Sequence, residues 1–294
     1  MTISDDASTD ETIEIARRML NPVSIGGKEA SAIQHQIIQH EPALGVAANF
    51  ESAISLAKSR NILLADQDDV WFPDHRHVLL RELEQMQPVA LVHTDAILID
   101  DSSLPIGATL FGRLKVKKKE IRRIRSGNAA EVFLRRNLVT GATSGITKEL
   151  ARIAFPVPEG WIHDEWLALV CSFHGEVRIV PRPTISYRQH ESNQIGARKL
   201  GVRHAVARLI YPRAERNAVL LKRAQNASAH RAFTEGQPGA QQIRQKLEHE
   251  LVRSSYPAPR WRRILPIIRE ISTGRYAVYG LGLQDVLRDI LQPV

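Results

Sequence analysis

Between Val46 and Thr94 the chain alternates helix-like and strand-like segments at short intervals, and this alternation restricts the fold more than any other feature. The spacing predicts a helix over Val46–Arg60, a buried strand over Asn61–Ala65, a helix over Pro73–Gln87 with Pro73 at its start, and a strand over Val89–Thr94. Upstream, Thr2–Ser4 suffices for a short strand. Thr9 or Asp10 then caps a helix whose apolar positions Ile13, Ile15, Ala16, Met19 and Leu20 include helical spacings, with Pro22 helping to stop it. Alternating strands and helices imply a layered α/β domain with a mostly parallel sheet. Ligands of such sheets bind beyond the carboxyl ends of the strands, so Asp5, Asp6, Asp66, Asp68 and Asp69 are expected at one rim.

The rhythm breaks at Gly107–Asn128, an excursion between core elements. Leu138–Ile146 resumes as a strand, Ile162–Phe173 as a helix and Val177–Val180 as a short strand. Past Ala197 the pattern turns helical, over Ala197–Ile210, Arg213–Ala224 and Gln241–Arg253, with Gly236-Gln237-Pro238-Gly239 as a breaker. The 294 residues suit a domain of about 200 residues with an appendage, here 1–196 and 197–294.

With 43% hydrophobic and 24% charged residues the chain is globular in composition. Its lone cysteine, Cys171, lies in the apolar run Leu167–Phe173 and reads as an inert buried thiol that excludes an intrachain disulfide framework. The acidic start, Met1–Asp6, lacks the pattern of a signal peptide, and the longest apolar runs fall far short of the roughly 20 residues that cross a bilayer. A cytoplasmic protein is expected, peripheral at the inner face of the membrane if it works there. The net charge of +8 favours anionic partners. The eight Lys or Arg residues from Arg113 to Arg125 form a solvated basic face or loop, or a phosphate or membrane contact. Pro257–Tyr276 mixes five arginines with Trp261, Ile264, Leu265, Ile267 and Ile268, a pattern for membrane contact or for capping the core. No zinc-finger or helix-turn-helix spacing accompanies the charge, which argues against nucleic acid.

Four segments carry candidate chemistry. Ala65-Asp66-Gln67-Asp68-Asp69-Val70-Trp71 follows an apolar strand. Three carboxylates in four positions there either cap a turn or share a divalent cation with diphosphate oxygens. Ser4-Asp5-Asp6-Ala7-Ser8-Thr9-Asp10 is a turn and helix cap, or a seat for a nucleotide base or ribose. Trp161-Ile162-His163-Asp164-Glu165-Trp166 opens a helix as an acidic first turn, or supplies a general base for attack by a hydroxyl; spacing does not choose between Asp164 and Glu165. In Ser186-Tyr187-Arg188-Gln189-His190, Arg188 suits a diphosphate and His190 a metal, or both are surface residues.

Taken as an ordered set, these motifs resemble the inverting family 2 glycosyltransferases. Ser4–Thr12 resembles the nucleotide-binding turn and Asp66–Trp71 the metal motif, and Gly141-Ala142-Thr143, His163-Asp164-Glu165 and Tyr187–His190 recur in the family's order. The likeness covers about residues 1–196 and leans toward bacterial rhamnosyltransferase-like members that act on surface polysaccharides. The resemblance implies a GT-A-like nucleotide-sugar-binding fold with a mostly parallel sheet, followed by C-terminal helices. It implies Asp5, Asp6, Asp66 and Arg188 as donor-binding residues, Asp68 and His190 at a magnesium or manganese ion (Mg2+ or Mn2+), and Asp164 as catalytic base. The partners it implies are a nucleotide diphosphate sugar, L-rhamnose among the sugars, and a glycan or lipid-linked acceptor. Family members place a strand before the turn at Asp5-Asp6 where this chain has four residues. A catalytic domain lacking its first strand is therefore expected, with an inactive or partner-completed binding remnant as the alternative.

Overall fold

A computed structural model of the chain describes residues 1–20, 34–189 and 212–293. His190 and the helix expected over Ala197–Ile210 lie outside these residues. Strand β1 (Thr2–Asp5) pairs in parallel with β2 (Gln36–Gln39) in a two-stranded sheet. A second sheet runs β3 (Asn61–Leu63), β7 (Ser144–Thr147), β5 (Ala90–Ile99), β8 (Glu176–Arg188), β4 (Val70–Trp71), with β6 (Pro105–Thr109) on the distal half of β5.

This sheet is mixed, which corrects the expectation of a mostly parallel one. Only β5 and β8 run parallel in it, while β3–β7, β4–β8, β5–β6 and β5–β7 are antiparallel. Link length explains one of these pairs: a parallel pair needs a crossover of a dozen or more residues, and the link from β5 to β6 is much shorter. Strand β8 also outruns the expected Val177–Val180, continuing through Pro181 and Pro183 to Arg188. Its register against β5 jumps from Thr94↔Val180 to Asp95↔Pro183, so the prolines fall where the ladder is already interrupted.

Helices α1 (Thr12–Leu20), α2 (Val46–Leu56), α3 (His75–Glu84), α4 (Leu110–Arg113), α5 (Lys118–Arg125), α6 (Ala130–Phe133), α7 (Lys148–Ala154) and α8 (His163–His174) complete the N-terminal part. Then follow α9 (Arg213–Ala229), α10 (Ala240–Ser254), α11 (Arg260–Ser272), α12 (Arg275–Tyr279) and α13 (Leu283–Leu291). Helix α2 stops before the expected Arg60 because Ala57 turns extended.

The main core gathers on α8. Trp166 is fully buried, donates its indole N–H to the Ala154 carbonyl at 2.6 Å, and meets Phe233 and His230 edge-on. Leu167, Leu169, Ile146 and Leu150 pack in the same cluster. Each such apolar side chain contributes about 1.5–3 kcal/mol when fully removed from water. The core thereby fixes the first turn of α8. Helix α2 spans the two sheets: Asn49 donates to the Ser4 carbonyl on β1 at 3.0 Å, and Phe50 stacks on His163 of α8 with ring centroids 3.9 Å apart. Among the described residues no helix is long and apolar enough to cross a membrane.

Candidate active site

The carboxyl ends of β3 and β8 and the first turn of α8 converge. Asp66, Asp68 and Asp69 occupy the loop between β3 and β4, and Tyr187 and Arg188 end β8. Tyr187 is buried, and its phenol is pushed above its ordinary range by that burial and then by the charges of Asp66, Asp69, Asp68 and Asp164. It therefore lies within electrostatic reach of all four carboxylates. In the sequence Tyr187 is one residue of the Ser186–His190 motif, with no chemical signal that sets it apart from a core aromatic.

The cluster is expensive to ionise. Burial, followed by repulsion from Asp68, pushes Asp66 up to about 6. Asp69 is pushed to about 7 by burial and by Asp66 and Asp68, against the pull of the Arg188 backbone amide, which donates to its Oδ1 at 2.8 Å. The other oxygen, Oδ2, is buried with no hydrogen-bond partner. Among the described residues no group of three or more His, Cys, Asp or Glu is arranged to hold a metal ion. An orphaned carboxylate oxygen within a repelling acidic cluster still fits a hard cation, bound through one or two carboxylates and otherwise by diphosphate oxygens and water.

Asp164 lies in the first turn of α8 and is buried. Its Oδ2 accepts the Gly141 amide at 3.0 Å and its Oδ1 the Glu165 amide at 2.5 Å. Burial dominates these bonds and pushes the carboxyl up to about 7, with Glu165 and Asp66 adding to the rise. Gly141 opens a 3-10 turn, and a Cβ there would lie 2.7 Å from His163 Nε2, so the close approach that delivers its amide depends on glycine. Both nitrogens of the buried His163 ring lack hydrogen-bond partners, and burial holds it down to about 4, neutral at ordinary pH.

Glu165 takes a different environment. Its carboxylate pairs with Arg223 of α9 at 2.5 Å, and that guanidinium lies 4.1 Å from the Trp161 ring. Arg188 is used as a brace: its guanidinium donates to the carbonyls of Asp68 and Asp100, each at 2.9 Å, and to the Asp101 carbonyl and Ser103 hydroxyl. Asp5 and Asp6 stand on the other sheet. Asp5 accepts the Ser8 amide at 3.1 Å, and Asp6 accepts the amides of Leu44 and Gly45 at 2.6 and 2.8 Å, fixing the turn into α2. The structure thus joins Asp66, Asp68, Asp69 and Asp164 around Tyr187, and ties Asp5 and Asp6 into the neighbouring loop.

The comparison with protein families bears on half of this arrangement. Residues 1–134 match the family model Glycosyl transferase family 2. The matched stretch carries Asp5, Asp6 and Asp66 to Asp69, whereas Gly141, Asp164 and Tyr187 lie beyond it. Among solved structures, the crystal structure of S. aureus TarS 1-349 aligns at 11% identity over 98% of this chain and 79% of that one, with a TM-score of 0.45. No curated protein matches the chain.

Proposed function

We propose that the chain is an inverting glycosyltransferase that moves a sugar from a nucleoside diphosphate donor to a glycan or lipid-linked acceptor. The observation that carries this reading is the convergence of Asp66, Asp68, Asp69 and Asp164 around Tyr187 at the strand ends, beside a stretch that matches Glycosyl transferase family 2. The acceptor hydroxyl attacks the anomeric carbon, its proton passes to Asp164, and the bond to the diphosphate breaks as the nucleoside diphosphate departs. Asp164 suits this role because two backbone amides fix it and burial raises its affinity for a proton. Arg223 neutralises Glu165, which favours Asp164 over its neighbour.

Asp68 and Asp69 would hold a magnesium or manganese ion together with donor oxygens. When bound, such an ion neutralises charge on the departing diphosphate. Arg188 braces the loop that carries these carboxylates, and Asp5 and Asp6 shape the loop that we assign to the nucleotide. The rhamnosyltransferase-like character of the motifs makes a thymidine diphosphate L-rhamnose donor the first to test, with surface polysaccharide as the acceptor class.

Release of nucleoside diphosphate from a panel of sugar donors, with Mg2+ or Mn2+ and after chelation, tests the reading. Asp68→Ala should abolish most release with the fold retained, and full release in metal-free buffer would remove the ion from the account. A second reading, a nucleotide-binding remnant or partner-completed form, draws on the separation of β1 and β2 from the six-stranded sheet. It is distinguished by donor binding without turnover.

A further inference from the structure

Helix α11 is amphipathic in the wrong sense for a helix lying on a water-soluble domain. It turns Arg263, Ile267 and Glu270 inward and leaves Trp261, Ile264, Leu265, Ile268 and Ile271 exposed, at 69, 50, 56, 55 and 46% of their surface. Positions 261, 264, 265 and 268 follow the i, i+3, i+4, i+7 pattern of a single stripe. The inward polar groups are fully used. Arg263 donates to the carbonyls of Pro257, Asp289 and Gln292, and Glu270 accepts from His249 at 2.6 Å and from Arg275.

Helix α13, which packs on α11, repeats the inversion. Asp285 and Asp289 point inward, with Asp289 2.7 Å from Arg253, while Leu283, Leu287 and Leu291 are exposed. Burying ionic pairs and exposing leucines costs free energy in water on both counts. The arrangement is favourable only where the outer stripe meets an apolar medium.

Charge selects the medium. Arg262 and Arg269 line one border of the α11 stripe and Arg260 lies toward the other, all exposed, and the three carboxylates on the two helices are all buried. A second copy of this face would oppose arginine to arginine. We infer that α11 and α13 form an interfacial surface that seats the protein on an anionic lipid bilayer, with the stripe in the acyl boundary, Trp261 at headgroup level and the arginines on lipid phosphates. This surface stands without the transferase reading; if both hold, they favour a lipid-linked acceptor.

Flotation of the full chain with phosphatidylcholine vesicles, and with vesicles containing phosphatidylglycerol, tests the inference at low and high salt. Binding should require the anionic lipid and weaken with salt. Ile264→Glu/Ile268→Glu should abolish it at either salt with an unchanged circular dichroism spectrum. Arg260→Gln/Arg262→Gln/Arg269→Gln should weaken it by roughly 10²-fold, since each arginine near the surface contributes comparably. Absence of wild-type binding to any vesicle would overturn the inference, as would equal flotation of the Ile264→Glu/Ile268→Glu variant. A wild-type dimer that this variant converts to monomer, without effect on flotation, would assign the face to self-association instead.

Discussion

Asp164 combines two properties that oppose each other: amides of Gly141 and Glu165 stabilise its anion, and burial destabilises it more, leaving it near 7. A base must be ionised to accept a proton, so kcat/KM should rise with pH through about 7 and level off above it. Measured rates that stay flat between pH 5 and 9 would contradict that assignment. Gly141 is the second sensitive position. The His163 ring that an added Cβ would strike is buried and stacked on Phe50, so it has little room to yield. Gly141→Ala should lower stability by about 1–3 kcal/mol and displace the amide that orients Asp164. Thermal denaturation and turnover should therefore fall together. The Asp5 and Asp6 carboxylates differ from Asp164 in serving their own turns, where they accept the backbone amides of Ser8, Leu44 and Gly45.

At the scale of elements, the C-terminal helices steady the site. Arg223 of α9 pairs with Glu165 and covers the Trp161 ring, and the Trp161 indole donates to the Arg223 carbonyl at 3.0 Å. Arg223→Ala would strand a half-buried carboxylate next to Asp164, at a cost of about 1–3 kcal/mol. The stranded charge should also move the pH midpoint of the rate upward, because an unneutralised Glu165 further disfavours the Asp164 anion. A midpoint that stays put or falls would show that α9 does not tune the site. The alternation over Val46–Thr94 and the acidic loops were legible in the sequence, because local periodicity and turn chemistry encode them, whereas β2, β4, β6 and the short helices α4 to α7 carry too few residues to show a period. Strand direction was not, since pairing between β5, β7 and β8 depends on segments distant in sequence. The ion pair that sets Glu165 apart from Asp164 was equally hidden, because Arg223 lies 58 residues past Glu165. The inverted faces of α11 and α13 read in sequence only as a mixed pattern, since periodicity identifies a stripe without saying which side meets the protein.

For the molecule as a whole, buried histidines and buried carboxylates pull the response to acid in opposite directions. His93 is wholly buried, with both ring nitrogens lacking partners, and burial holds it down to about 3; His163 is held to about 4. Unfolding returns each to about 6.5. Below that value each of these histidines takes a proton more readily in the unfolded chain and costs stability as pH drops from about 6.5 toward 4, approaching ~1.4 kcal/mol per pH unit, while Asp66, Asp69 and Asp164, raised to about 6, 7 and 7, hold protons more readily in the folded chain and oppose that loss. Across this window the urea midpoint of His93→Phe should fall less steeply with decreasing pH than that of the wild type, because one histidine's share of the loss is removed. An unchanged slope in that variant would assign the acid response to other groups.

In the proposed reaction Asp164 removes a proton from the acceptor while a nucleoside diphosphate departs. The most direct measurement of this step compares the wild type with Asp164→Asn, following sugar transfer from a nucleoside diphosphate donor alongside donor affinity by calorimetry. Transfer should fall by about 10²-fold or more while affinity changes little, because amide and carboxylate are close in size and both hydrogen-bond. Near-normal transfer by the Asn variant would contradict this role for Asp164.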